Sequence, residues 1–468
     1  MTESALPRLE DFIAPINDSA TTSQAAEFRH TDLGNAERLV AQHGSDLRFA
    51  PGLGWFSWDG RRWKRDTDGE PLRRAKRVVR GMYSEAGLLD DDARRALIKW
   101  ATASESESRL RAAVKLAETE RAVIVEPKQL DADGWLFNAS NGTIDLRTGE
   151  LREHLRGDLL TRLTTVVYKP DTRSELWDDF LHTITDGNEE LIGFLRRATG
   201  YSLTGHTSEE VLFFVHGPSA TGKSSKLEAI RAVLGEYAAT ADFETFLKRH
   251  GSAGIRNDVA RLAGARLVVS IEVDDGKALA EGLLKLLTGG DTVAARFLYQ
   301  EAFEFQPQFK FWLAANDRPR VNADDDAMWR RIHQIPFTHV IPEAERDDRV
   351  KLALRTDPAV HSAILAWAVQ GCLEWQRVGL AVPACVRDYT NEYRAENDPL
   401  KDWIADACQL GSDAWTSNPD LRGSYETWCE ANGERPISAN KLATALAPKG
   451  CTREKRSAVR GWRGIRVV

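Results

Sequence analysis

The sequence predicts an α/β protein built on a phosphate-loop core, with mixed α and β segments on either side. Three observations carry that prediction. Residues Gly217-Pro218-Ser219-Ala220-Thr221-Gly222-Lys223-Ser224 match the pattern G-x-x-x-x-G-K-[ST]. The apolar, β-prone run 211–216 precedes them, and a helix-compatible run from Ser225 to Leu234 follows and stops at Gly235. Two more apolar runs, Leu267–Ile271 and Phe309–Ala315, end in polar residues, as strands of a parallel nucleotide-binding sheet do.

The elements follow in order. Residues 1–30 are polar, with Pro7 and Pro15, and read as a flexible leader. In Trp55–Trp63, Asp59-Gly60 signals a two-residue type I′ turn between aromatic arms. Residues 71–127 read helical. Leu136–Leu146 and Thr148–Leu151 read as a β element with two glycine turns, and helical spacing returns over 176–198. Residues 205–340 alternate strand and helix. Helical runs extend from Pro342 to Gly379 and from Pro383 to Cys408. Residues 410–422 read as a linker, and the tail shows two short helical patterns before a hairpin at 460–468. The expected domains are 1–30, 31–204, 205–340, 341–409 and 410–468.

Composition sets the outer limits. The 468 residues suffice for about three domains, and 28% charged with 42% hydrophobic residues is ordinary for a globular chain. A net charge of −7 means that any nucleic-acid surface is local. The five cysteines, Cys372, Cys385, Cys408, Cys429 and Cys451, form no C-x-x-C pair and give no disulfide or zinc framework. No apolar stretch reaches membrane-spanning length and no signal-peptide pattern opens the chain, so a cytoplasmic, membrane-free protein is expected.

The chemistry gathers around the loop. Backbone N–H groups of Gly217–Ser225 point at phosphate oxygens, Lys223 reaches the β/γ-phosphates of ATP, and the Ser224 hydroxyl binds Mg²⁺. The strand 267–271 ends in Glu272, a candidate for the metal shell beside the loop. Asp274, ahead of Asp275, is the candidate for orienting water. Asn316 ends the next strand and can contact the γ-phosphate or the attacking water; a turn or helix-cap asparagine is the plainer alternative. Arg330 and Arg331 are candidates for an arginine finger, against a solvated helix face. Thr288–Phe305 reads as an inserted hairpin with Arg296 and Tyr299 near its tip, placed to grip DNA unless they belong to a core hairpin. From Lys449 to Val468, seven basic residues face Glu454 alone, a local charge of +6. Arg460, Trp462 and Arg463 there form a candidate phosphate-contacting surface.

The order of these features resembles the superfamily 3 helicases, in the branch of poxvirus, phage and plasmid primase-helicases. The lead-in Gly200-Tyr201-Ser202-Leu203-Thr204-Gly205, Asn141-Gly142, Ile364–Ala368 with Gly371, Trp375 and Gly379-Leu380, Asp398 and Gly461–Ile465 are similar to that group as well. The resemblance covers about residues 30–468. It implies an AAA+-like ATPase core, a mixed α+β N-terminal domain and a C-terminal winged-helix-like module. It also implies a homo-oligomeric ring, usually a hexamer, with ATP between subunits and Arg331 acting across the interface. The Arg296–Tyr299 hairpin would then track single-stranded DNA, typically 3′ to 5′. The expected function is ATP-driven unwinding of fork DNA in replication of a phage or mobile element, in a bacterial host. A protein-remodelling ATPase such as a helicase loader, or an ATP-switched origin-binding protein, is the alternative. The pairs Asp66/Asp68, Asp90/Asp92 and Asp131/Asp133 lie in polar, turn-like stretches without a nearby histidine. Primer synthesis is therefore not expected of this chain, and a separate primase is the expected partner.

Overall fold

The computed structural model describes residues 28–248, 257–271, 277–296, 302–322 and 325–468. The chain divides into two compact units, Met1–Ala132 with Leu155–Thr161, and Asp133–His154 with Arg162–Val468. The span 31–204, expected as one domain, thus contributes to both.

In the first unit, α1 (Asp32–His43) is followed by an antiparallel sheet of β1 (Leu47–Ala50), β2 (Gly54–Trp58) and β3 (Trp63–Arg65). The β2–β3 turn spans Asp59–Arg62 rather than two residues. The Asp59 carboxylate accepts the N–H groups of Arg61 and Arg62, both at 2.9 Å, and this local bond sets the longer turn. Then come α2 (Glu70–Ala86), α3 (Asp91–Ser104) and α4 (Glu107–Ala117). Their apolar stripes meet α1 through Leu39, Val78, Met82, Leu97 and Leu110. The helical run expected to 127 ends at Ala117, because the backbone of Val123 and Val125 bonds Phe49 of β1 at 2.8 and 2.9 Å. The aspartate pairs open helices or fix turns. Asp66 accepts Gly69 and Glu70 N–H, Asp90 accepts Ala93 N–H, and Asp131 accepts Thr161 N–H at 2.7 Å.

The second unit opens with the meander β4 (Leu136–Ala139), β5 (Gly142–Asp145) and β6 (Glu150–Arg152), then α5 (Glu175–Thr185) and α6 (Glu189–Leu203). The alternating block runs β7 (Leu212–His216), α7 (Lys223–Leu234), β8 (Ala238–Thr240), α8 (Asn257–Ala260), β9 (Leu267–Ile271) and α9 (Glu281–Thr288). It continues as β10 (Val293–Arg296), β11 (Ala302–Phe305), β12 (Lys310–Ala315), α10 (Asp326–Trp329) and β13 (Ile332–Pro336). Five of these strands form a parallel sheet in the order β13-β7-β12-β9-β8, while β10 and β11 pair separately as an antiparallel hairpin. The strand β9 leads to Glu272, the acid expected beside the phosphate loop. This strand lies one place out from β7, because β12 pairs with both β7 and β9.

Next come α11 (Asp348–Thr356), α12 (Pro358–Val378), α13 (Ala384–Glu396) and α14 (Lys401–Ala407). α12 crosses α6 at a glycine pair. A Cβ on Gly200 would sit 2.1 Å from Cys372 N, and one on Gly371 would sit 2.1 Å from Arg196 O. No larger residue fits either place. The chain closes with β14 (Cys408–Ser417), α15 (Asn418–Ala431), α16 (Ala439–Leu446), β15 (Thr452–Arg456) and β16 (Val459–Val467), whose strands pair in the order β14-β16-β15. Two expectations are corrected here. Residues 410–422 are a strand and the start of a helix, not a linker. Ser417-Asn418-Pro419 is a helix start, with the Ser417 hydroxyl accepting Asp420 N–H at 3.2 Å. Residues 460–468 are one arm rather than a whole hairpin, which turns at Ser457-Ala458. Gly461 serves close approach instead of a turn, since a Cβ there would lie 2.3 Å from Thr416 O.

Candidate active site

The phosphate loop leaves the C-terminal end of β7 and enters the N-terminus of α7, where ligands of open parallel sheets bind. Gly217 has φ +154°, and a Cβ there would lie 1.9 Å from Phe337 O at the end of β13, so glycine is required. Gly222 has φ +82° and packs on Ile184 and Phe180 of α5. Ala220 also has positive φ, and its carbonyl accepts Ile341 N–H at 3.0 Å. Thr221 closes the loop through its hydroxyl to Pro218 O at 3.1 Å. Pro218, Ser219, Ala220 and Ser224 are exposed, and Ser225 is half-buried.

Lys223 is the first residue of α7. Its ammonium donates to Gly217 O at 2.7 Å, Pro218 O at 2.5 Å and Thr221 Oγ1 at 3.3 Å. Burial holds its pKa below the usual lysine value. The first N–H groups of α7 have no acceptor within the helix and project from its positive end. Loop, lysine and exposed Ser224 hydroxyl thus suit a polyphosphate with its cation.

Asn316 follows the end of β12, and its amide donates to Ser219 Oγ at 3.4 Å. The structure therefore brings together the loop and the strand-end asparagine. Glu272 and Asp274 lie outside the described residues; Ile271, just before them, ends β9 on the same sheet edge. Arg331 lies at the other edge. It precedes β13, whose Ile332 pairs with Leu212, so the length of β7 separates it from the loop, about 16 Å. Its guanidinium pairs with Glu210 and donates to Thr288 Oγ1 at 3.2 Å and Ala327 O at 2.8 Å. Arg330 beside it is exposed.

Sequence reasoning missed a cluster on the loop's flank. His216 Nδ1 lies 2.8 Å from the Tyr389 hydroxyl of α13. Burial, then the charges of Arg318 and Lys223, pull the His216 pKa down to about 4. Arg318 lies over the rings of Tyr389 and Tyr393, 4.7 and 5.5 Å from their centroids, and donates to Gln334 Oε1 at 3.1 Å. The i, i+4 spacing of the tyrosines was the available signal, but nothing local links them to Arg318.

Among the expected DNA contacts, Arg296 is exposed on β10, while Tyr299 lies outside the described residues. Arg460 and Arg463 are exposed on β16. Trp462 is a correction: it is only 7% exposed and packs in the core of the last module, because its side of β16 faces α14–α16. Among the described residues, no helix is long and apolar enough to cross a membrane.

A family profile described as D5 N terminal like matches residues 36–186, and one described as a family of unknown function, DUF5906, matches residues 215–331. "Putative helicase L207/L206" of Acanthamoeba polyphaga mimivirus is 29% identical over 299 residues, 60% of this chain and 31% of that one. "Putative helicase 022R" of Frog virus 3 (isolate Goorha) is 29% identical over 276 residues, 55% of this chain and 27% of that one. The chain thus spans about a third or less of these relatives. A solved C-terminal region of NrS-1 covers 93% of this chain and 100% of its own at 10% identity and a TM-score of 0.48. The chain thus carries a D5 N-terminal-like segment and is similar over more than half of its length to viral proteins named putative helicases.

Proposed function

We propose that this chain is an ATP-driven DNA helicase that unwinds fork DNA during replication of a phage or mobile element, in a bacterial cytoplasm. The observation that carries the reading is the 3.4 Å contact between Asn316 and Ser219. A binding loop alone needs no polar amide from a second strand. A hydrolytic site does, to register the γ-phosphate and the attacking water. The reading extends to an AAA+-like core, supported by the parallel sheet with β12 between β7 and β9. It also extends to a winged-helix-like last module, supported by two helices and the β15–β16 hairpin.

Lys223 exchanges its loop carbonyls for phosphate oxygens of ATP, and Gly217–Ser225 hold those oxygens through backbone N–H groups. Ser224 and Glu272 would hold the Mg²⁺ that supplies charge neutralisation to the phosphates. Asp274 orients water and Asn316 reports the γ-phosphate. In a homo-oligomeric ring, a hexamer in this reading, Arg331 or Arg330 completes the neighbour's site. Arg331 lies far from its own loop and Arg330 is exposed, which suits action on another subunit. Arg296 and Tyr299 grip single-stranded DNA in the channel, and Arg460 and Arg463 contact duplex backbone. A separate primase supplies primers.

Lys223→Ala tests the reading. DNA-stimulated ATPase and fork unwinding should fall by ~100-fold or more, with the melting temperature unchanged. Full ATPase in Lys223→Ala would sink the site assignment. ATPase without any response to single-stranded DNA would favour the protein-remodelling alternative.

A further inference from the structure

The first unit carries a second charged feature that the ATPase reading does not use. Over residues 61–80 the chain has nine basic residues against Asp66, Asp68 and Glu70, a local charge of +6 in a chain of net −7. Within α2, residues 71–84 hold Arg73, Arg74, Lys76, Arg77 and Arg80 and no acid.

The helix sorts these cations by face. Ala75, Val78, Val79 and Met82 are buried, and Arg74 is buried beside Glu70 and Asp46. Arg73, Lys76, Arg77 and Arg80 are exposed. Their spacing of three, four and seven residues makes one stripe about 10 Å long. Lys64 and Arg65, exposed on β3, lie just before the Asp66-capped start of the same helix.

A solvated face would balance these charges, and the neighbouring helices do. On α3, Arg94 pairs with Asp91 at 3.2 Å and Arg95 with Asp92 at 2.5 Å; on α4, Arg111 pairs with Glu107 at 2.8 Å and Lys115 with Glu118 at 2.6 Å. On α2 the like-charged neighbours Arg73/Arg77 and Lys76/Arg80 stand four residues apart, a spacing that opposes the helix. Arg73 pairs with Asp68 at 3.0 Å and with Glu70 at 2.8 Å, while Arg77 reaches only Glu70, at 3.7 Å. Arg65, Lys76 and Arg80 make no ion pair within 4 Å among the described residues. The field is also felt locally: burial first, then Arg74 and Arg77, hold the His43 pKa below its usual value.

We infer that this stripe binds a nucleic-acid phosphodiester backbone, as a second DNA contact separate from the ATPase unit's residues. Phosphates on one strand recur every ~3.4 Å along the duplex axis, so a 10 Å stripe of long side chains spans about three of them, and Arg65, exposed just before the helix, adds a further cation. Exposed arginine and lysine without base-reading partners recognise charge rather than sequence.

The test is the 468-residue chain with Arg65→Gln, Lys76→Gln, Arg77→Gln and Arg80→Gln together, since glutamine preserves helix propensity. Binding of fluorescein-labelled single-stranded and duplex oligonucleotides is measured by anisotropy without nucleotide, across a salt series. Four lost contacts should lower the slope of log affinity against log salt by about 3 on single strands or about 3.6 on duplex, with affinity falling roughly tenfold or more at low salt. A drop on one form only identifies the strand state, and both results support the proposal. Four lysines at the same positions should restore the slope, because the contact is one of charge. An unchanged slope and affinity on both forms, with the melting temperature intact, overturns it. The assay contains no nucleotide and reads no hydrolysis, so failure here is distinct from failure of the ATPase reading.

Discussion

The two edges of the five-stranded sheet both hold buried cations, and they use them in opposite ways. At the C-terminal edge, Lys223 is held by the carbonyls of its own loop, next to exposed Ser219, Ser224 and Asn316. At the N-terminal edge, Arg266 donates to Leu203 O and Leu136 O, both at 2.8 Å. Lys310 donates to Thr204 O, to His206 O at 3.2 Å and to Gln308 O at 3.1 Å. Those acceptors come from the meander, from the end of α6 and from the chain before β12. The lower edge is therefore riveted across segments, while the upper edge satisfies its cation with groups a phosphate can replace. Buried charge in this fold marks chemistry only where its partners are exchangeable.

The largest effect should come from exchanging the two lysines' fates. Lys310→Met leaves three carbonyls without a donor in a site where the lysine is fully buried. That should cost about 3 kcal/mol or more, a fall in melting temperature of roughly 4 °C or more for a unit of this size. Lys223→Met should change stability by less than ~1 kcal/mol while abolishing ATPase. Equal thermal losses in the two variants would break the contrast between the edges.

The interior between the edges should respond to acid. His333 on β13 lies against Phe194 and Phe213, at ring distances of 6.2 Å, and burial lowers its pKa to about 4. Its unfolded value is about 6.5. Between those values the unfolded chain binds the proton and the folded chain does not, so stability falls as pH drops from 6.5 to 4. The span is worth up to about 3 kcal/mol. His216, partly exposed, acts in the same direction. His333→Leu should flatten the acid arm of a melting-temperature profile; an unchanged arm would show that other groups govern it.

The upper edge was legible in the sequence because its chemistry is contiguous: one loop with a strand before it and a helix after it. The Asn316 strand was legible because an apolar run ending in an amide is unusual. The lower edge was not, since Arg266 and Lys310 read as ordinary charges and their acceptors lie far along the chain. Strand order was not legible for the same reason: nothing local says that β12 inserts between β7 and β9. In the last module, Ser417-Asn418-Pro419 looks the same in a linker as at a helix start, and only pairing of Trp415–Ser417 with Gly461–Arg463 separates the two. Trp462 looked like a DNA contact because a basic run surrounds it, but its ring packs with Trp403, Leu421 and Ile465 in the core of the last module.

A third lysine sharpens the comparison with the smallest expected change. Lys226 lies one turn beyond Lys223 on α7, fully buried, with its Nζ 3.9 Å from the Trp312 ring centroid and no hydrogen-bond acceptor among the described residues. It has neither the exchangeable partners of Lys223 nor the rivets of Lys310, and burial lowers its pKa to about 7. An apolar side chain of similar length should be tolerated, because an unpaired buried amine costs more than it returns. Lys226→Met should keep or raise stability, within ~1 kcal/mol near neutral pH. The sign with pH is fixed. Below pH 7 the wild-type chain carries a buried ammonium, so the variant's advantage is greatest there. Between about 7 and the unfolded value near 10.5 the unfolded lysine holds its proton and the folded one does not. Wild-type stability therefore gains on the variant as pH rises through that window. Melting curves of both proteins from pH 6 to 10 measure the gap. A loss of more than ~2 kcal/mol in Lys226→Met at every pH would mean that the contact with Trp312 braces the phosphate-loop helix against β12, and exchangeability would no longer be what separates the lysines of this sheet.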